Sequence, residues 1–255
     1  MYRVLDHPLL LFALSFLILW LAARFGASLL RRWIRLDPDA RRDFATILAA
    51  TLTLNGLIIG FTFSMAIGRY EQRKNYEETE ANAIGTEFVR ADLMAATDRT
   101  QVRALLRAYI DERLAFYRAD SAEELRQIQT RTSQLQTQLW SAVLGTAAAQ
   151  PTAIGGLVIS GMNEVLNSQG NTDFSWWNRI PPSAWFLMAA IAVISQVLIG
   201  YGAQNTRLES TLLGVLPLVV SICFLLIADI DSPRSGIILV APRDLTALSE
   251  SIHAR

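Results

Sequence analysis

Two places in this 255-residue chain carry residue types and spacings that could do chemistry. The first is a charge-free stretch, Asn55-Gly56-Leu57-Ile58-Ile59-Gly60-Phe61-Thr62-Phe63-Ser64-Met65-Ala66-Ile67-Gly68. On a helix, Gly56, Gly60 and Ser64 recur at i, i+4 and i+8, a small-residue face that lets another helix approach closely. Ile59, Phe63 and Ile67 recur at the same spacing as a bulky apolar stripe, and Asn55 adds an amide one turn earlier. Copies of such a helix around a pore would make the bulky stripe a hydrophobic constriction, able to gate by dewetting. Ordinary packing inside a helical bundle is the simpler alternative for the same residues.

The second place is Asp229-Ile230-Asp231-Ser232-Pro233-Arg234-Ser235-Gly236. A carboxylate at a helix C-terminus opposes the macrodipole at a cost of about 0.3–1 kcal/mol, so something should offset it. A capping turn, with Gly236 supplying a positive φ, is one answer. The other is an ion-interacting ring or a switch, in which Asp229, Asp231 and Arg234 work with Arg69 or Arg73 at the base of the second apolar stretch. Two carboxylates fall short of the roughly six to eight oxygens that calcium takes.

Enzyme patterns are missing from the sequence. It holds no Gly-rich phosphate loop, no H-E-x-x-H and no G-x-S-x-G, so no catalytic residue is assigned. Gly155-Gly156 and Gly161 read as helix packing. One cysteine, Cys223, and two histidines at opposite ends, His7 and His253, argue against a disulfide framework, a metal centre or a bound cofactor. Zero net charge gives no field to attract nucleic acid. The basic residues are all Arg except Lys74, a bias that fits a GC-rich genome.

The elements that must position these residues are membrane spans. Apolar residues make up 52% of the chain and charged ones 18%, against about 25% charged in a soluble domain. A helix needs roughly 20 apolar residues to cross about 30 Å of hydrocarbon. Four windows qualify, over about 9–30, 44–68, 182–204 and 210–228, and continuous apolar runs without alternation mean helices. The first reads as retained rather than as a cleaved signal, because arginines follow it instead of a small-x-small site. Arg24 is expected to snorkel toward the interface. Trp33, Tyr70, Trp176, Trp177, Trp185 and Tyr201 sit where interfacial aromatics collect. Pro181-Pro182 opens the third span, and Pro217 is expected to kink the fourth.

The fold class is therefore an all-α integral membrane protein, with four transmembrane helices and a helical extramembrane domain inserted between the second and third. The divisions are an N-terminal hairpin (1–68), the helical domain (69–179), a C-terminal hairpin (180–228) and a tail (229–255). With no Gly/Pro cluster after Gly68, the second span is expected to run on as one helix to about Ala96. Ala81, Ile84, Gly85, Phe88 and Asp92 share a face of it, with Gly85 a second site of close helix contact. Val102, Leu105, Leu106, Tyr109, Ile110 and Leu114 form the next amphipathic stripe. Ser121 and Glu124 make a capping box ahead of a seam at Leu125, Ile128, Thr132, Leu135, Leu139 and Ala142. A further helix is expected over 152–168, then a loop over 167–175, and a last helix from about Arg243.

An even number of spans puts both termini and the helical domain on one side of a cell membrane. Loop 31–43 carries Arg31, Arg32, Arg35, Arg41 and Arg42, which by the positive-inside rule places the termini outside.

Taken together, several segments resemble the bestrophin-like family of membrane proteins, catalogued as a domain of unknown function. They are Gly60 to Ala66, Arg69 to Arg73, Glu80-Ala81-Asn82-Ala83-Ile84-Gly85-Thr86, Arg90-Ala91-Asp92-Leu93 and Asp229 to Gly236. The resemblance covers most of the chain. It implies a distant likeness to bestrophins, pentameric anion channels with four spans and cytosolic helices, and so termini in the cytoplasm. Ile59, Phe63 and Ile67 look like the bestrophin neck, whereas Asp229 and Asp231 supply fewer acidic residues than the bestrophin calcium clasp. The resemblance thus implies a homo-oligomeric ion channel, anion-selective and pentameric by analogy alone, with the lipid bilayer and inorganic ions as partners. The alternative is a non-conducting scaffold or sensor whose helical domain binds a partner.

Overall fold

The computed structural model describes residues 7–33, 37–149, 152–203 and 213–254. Among them every regular element is helical. Helix α1 (Pro8–Phe25) passes through a π turn (Gly26–Leu30) into a last turn, Arg31–Trp33. Helix α2 (Pro38–Arg90) follows, then a 3-10 turn (Ala91–Leu93), α3 (Ala96–Arg118), α4 (Ala122–Ala149), α5 (Ala153–Trp177), α6 (Pro182–Gly202), α7 (Val215–Asp231) and α8 (Arg243–His253). The chain divides into two compact units, Met1–Arg69 with Arg179–Leu239, and Tyr70–Asn178 with Val240–Arg255.

In the first unit, α1 packs on α6 and α7. Two glycines set the closest approach. A Cβ on Gly26 would strike the Val197 carbonyl oxygen, and one on Gly200 would strike that of Ala23. Backbone meets backbone at this crossing, as small residues permit between helices in lipid. The π turn begins at Gly26, and Ser28 Oγ donates to the Arg24 carbonyl at 2.7 Å. Phe44 and Tyr201 stack at 5.1 Å, and Trp185 meets Phe224 edge-on at 6.3 Å. Helix α2 starts at Pro38, earlier than the expected span, with the Ala40 N–H donating to Asp37 Oδ1 at 2.8 Å as an N-terminal cap.

Three helical stretches are long and apolar enough to cross a membrane: Pro8–Leu30, Ala40–Leu93 and Ala153–Gly202. This corrects the expected count of four among the described residues. Of the fourth window, 210–212 lie outside the described residues, and α7 has 17 residues, fewer than the roughly 20 a span needs. Pro217 falls in the first turn of α7, where a missing N–H is harmless, rather than at an internal kink.

The second unit has one main apolar core. Ile84 and Phe88 of α2 meet Leu106, Tyr109 and Ile110 of α3, Leu139 and Val143 of α4, Met162 and Val165 of α5, and Leu245 and Ile252 of α8. The stripe expected on α3 faces this core, with Leu105 at its edge; of the α4 seam, Leu135, Leu139 and Ala142 join it, while Leu125 and Ile128 pack in a second cluster with Phe116, Ala119 and Trp176. At the start of α4, the Glu124 N–H donates to Ser121 Oγ and the Asp120 N–H to Glu124 Oε2, each at 3.1 Å. Two boundaries differ from expectation. Helix α2 stops at Arg90, short of Ala96, where the Met94 N–H bonds the Ala91 carbonyl and tightens the end into a 3-10 turn. The stretch 167–175, expected as a loop, is helical within α5. Its hydroxyls are accommodated there: Ser168, Thr172 and Ser175 bond back to the carbonyls of Val165, Ser168 and Thr172 at 2.7–3.2 Å.

Candidate functional site

The residues singled out on α2 fall on two faces of the helix in the first unit. Asn55 is buried, and its Oδ1 accepts no hydrogen bond among the described residues. Thr62, also buried, donates to the Ile58 carbonyl at 2.8 Å. Ile59 and Phe63 are half-buried and Ile67 is exposed. Gly56, Gly60 and Ser64 are exposed, and a Cβ on either glycine would meet nothing within 4 Å. The small-residue face is therefore uncovered within one chain. So is most of this stretch: Leu57, Phe61 and Met65 are exposed, and the most apolar window of α2 is 6% buried.

The acidic turn after α7 solves the macrodipole problem with backbone donors. Asp229 Oδ1 and Oδ2 accept from the N–H groups of Ile237 (2.8 Å) and Ile238 (2.9 Å). Gly236 has φ +127°, and a Cβ there would strike the Asp229 carboxylate. Asp231 accepts from the Ile180 N–H at 3.1 and 3.3 Å and pairs with Arg179 at 3.7 Å, a partner that sequence reading did not name. Arg69 and Arg234 of the same unit are half-buried.

In the second unit, Arg73 is buried and its Nε donates to the Ser175 carbonyl at 3.2 Å. Gly85 meets α8: a Cβ there would lie 3.0 Å from Leu248 Cδ1. The largest polar assembly was not foreseen. Arg113 Nε donates to Glu80 Oε1, and Arg113 Nη2 reaches Glu80 Oε2 and Asp173 Oδ1, both at 3.3 Å. Thr172 Oγ1 donates to Glu80 Oε2 at 2.8 Å. Gln169 bonds Asp173 at 2.5 Å, and Gln136 bonds Gln169 at 3.1 Å. The guanidinium lies 4.7 Å from the Phe116 ring centroid, and that ring packs with Tyr117 and Trp176. Burial, the largest single influence, would lower the Arg113 pKa, but Glu80, Tyr109 and Asp173 together outweigh it and hold the guanidinium above its ordinary value. Burial and the Glu80 charge push both the Tyr109 and Tyr117 phenols up. The hydroxyls and Asp173 in 168–175 were the available signal, and they read as loop composition.

Two further carboxylates on α2 are buried. Glu77 is pushed up to about 7 by burial, against the opposing hydrogen bond from the Leu245 N–H. Glu87 is pushed up to about 7 by burial, against the opposing charge of Arg90, and its carboxylate sits where Gly161 lacks a Cβ. No group of three or more His, Cys, Asp or Glu among the described residues could hold a metal ion.

The all-helical architecture of the described residues is that of a bestrophin fold, as solved structures show. A crystal structure of a bacterial bestrophin homologue from Klebsiella pneumoniae with a tryptophan-to-alanine substitution matches with TM-score 0.69 and 14% identity, over 98% of this chain and 96% of that one. A tyrosine-to-alanine form gives 0.68 at 14% identity, over 94% and 96%. A form phased on zinc gives 0.66 at 14%, over 96% and 95%. At such identity the likeness is one of fold. The family described as Bestrophin-like domain matches residues 9–245, and the chain belongs to it. No curated protein matches.

Proposed function

We propose that this protein is a homo-oligomeric ion channel of the cell membrane in which α2 lines the pore. One observation carries the reading: the apolar stretch of α2 is 6% buried in its own chain, so its faces must meet lipid, water or further copies. Gly56, Gly60 and Ser64 offer a neighbouring copy a close approach. Ile59, Phe63 and Ile67 then form the constriction, with Asn55 adding an unsatisfied amide oxygen one turn away. In this reading residues 69–179 are the extramembrane domain between the second and third spans. Anion selectivity and a five-fold ring rest on the family likeness alone. We read Asp229 and Asp231 as a fixed capping turn, because the N–H groups of Ile180, Ile237 and Ile238 already occupy them.

Recording from purified protein in planar bilayers tests this. Wild-type protein should conduct, and Phe63→Ala should change conductance or gating. Bilayers that stay silent across voltage, calcium and lipid composition would overturn the proposal. Mass photometry in detergent adds a second check: a closed ring agrees with a channel, and a monomer favours a non-conducting scaffold or sensor.

A further inference from the structure

Helix α8 is short and amphipathic, and each of its ends is held by a charge from another helix of the second unit. At its N-terminus, the Leu245 N–H donates to Glu77 Oε1 of α2 at 2.8 Å. At its C-terminus, Arg107 Nε of α3 donates to the Ile252 carbonyl at 2.9 Å, and His253 Nε2 lies 3.5 Å from Asp111. An ionised Glu77 would give both ends the sign of charge that a helix dipole favours, but its burial opposes that charge. Between them, Leu245 and Ile252 are buried in the core and Leu248 lies against Gly85. Glu77 differs from Arg107 in one respect. It is 1% exposed and can exchange a proton, whereas a guanidinium cannot.

We propose that α8 is a proton-sensitive strap: with a proton on Glu77 its first turn stays docked on α2 and α3, and loss of that proton frees the turn while Arg107 keeps the other end. The sign follows from linkage. Undocking returns Glu77 to water and to its ordinary pKa near 4.5, whereas the docked group sits at about 7, raised first by burial and then by the Asp244 charge. Docking thus takes up a proton, is strongest below pH 4.5, and weakens as pH rises through 7. The protonated carboxyl keeps a carbonyl oxygen for the Leu245 N–H, so the hydrogen bond survives in the docked form. The other titratable groups around Glu77 are Asp244 on α8, Tyr117 on α3 and, one turn to either side on α2, Arg73 and Glu80. Tyr117 is pushed up by its surroundings and stays neutral across this range. The strap depends on neither conduction nor oligomer number.

Hydrogen exchange of the full chain in detergent, corrected for intrinsic rates, tests it from pH 5 to pH 8.5. The protection of amides in the first turn of α8 should fall with rising pH, by up to about 70-fold between pH 5 and pH 8.5. Glu77→Gln should make the α8 protection independent of pH. Asp244→Asn, an exposed change, removes a neighbouring negative charge and should move the wild-type midpoint to lower pH. Unchanged α8 protection in the wild type overturns the proposal. So does a fall of the same size in Glu77→Gln. If Glu77→Gln does not fold, the wild-type profile and the Asp244→Asn midpoint decide alone.

Discussion

Removing Glu80 should cost more than removing any other single side chain of the second unit, and the cost should not depend on pH. Arg113 is 1% exposed and Glu80 fully buried, and they share two hydrogen bonds. Glu80→Ala leaves the guanidinium with Asp173 alone and strips Thr172 of its carboxylate acceptor. Breaking a buried pair from one side typically costs about 3–5 kcal/mol. For a domain of this size, that is a fall of about 10–20 °C in the melting temperature. Arg113 cannot shed its proton, so the loss should be equal at pH 5 and pH 8. The reciprocal change differs. Arg113→Met leaves a buried carboxylate, which a proton can neutralise at low pH, whereas nothing can neutralise a stranded guanidinium. Arg113→Met should therefore melt closer to wild type at pH 5 than at pH 8. The double variant Glu80→Met with Arg113→Met should lose less than either single change, because no charge is left unpaired. Thermal unfolding followed by tryptophan fluorescence reads all three. Equal, pH-flat losses in both single variants, with the double variant losing their sum, would refute an electrostatic account of this network.

Gly200→Ala should destabilise the first unit by about 1–3 kcal/mol, since the added methyl meets the Ala23 carbonyl and the Ala27 nitrogen at 3.0 Å, both backbone; a melting temperature within a degree of wild type would argue against the crossing. At Gly60 an added Cβ meets nothing within 4 Å among the described residues, so in Gly60→Leu secondary structure by circular dichroism should stay intact while the proposed oligomer, read by mass photometry, is lost or changed. Glu87→Gln should flatten the pH profile of stability. In wild type the buried neutral carboxyl contributes fully below pH 4.5 and its contribution is gone above about 7, a fall of up to about 3 kcal/mol. Denaturant titrations at pH 5 and pH 8 would show whether that difference exists and whether the variant lacks it.

Much of the helical layout was legible because it follows from solvent. Val102, Leu106, Tyr109 and Ile110 recur at helical spacing, and a face so built has one place to go. The need for a cap at Asp229 was legible too, since a carboxylate on a helix C-terminus demands compensation. Its donors, Ile237 and Ile238, were not, because nothing local says how the chain turns back after Gly236. The stretch 167–175 misled for a related reason. Ser168, Thr172 and Asp173 are polar, as loop residues are, but Asp173 pairs with the buried Arg113, Thr172 bonds the buried Glu80 and Ser168 bonds back to its own helix. The Gly26–Gly200 crossing also hides in sequence, since each glycine looks idle until the two segments are brought together.

These failures share a cause. Periodicity reports which face of a helix avoids water, and it is silent on which partner that face meets. The chain supplies the missing partner for Gly26, Gly85, Gly161 and Gly200, each of which faces backbone or side chain that a Cβ would strike or crowd. It supplies none for Gly56 and Gly60, on the helix whose apolar stretch is the least buried of the three candidate spans. Small residues at regular spacing cost helix stability, about 1 kcal/mol for each glycine relative to alanine. At the first four positions a close contact offsets that cost. If α2 lines a pore as proposed, a second copy of α2, which has the matching face, supplies the offset at Gly56 and Gly60.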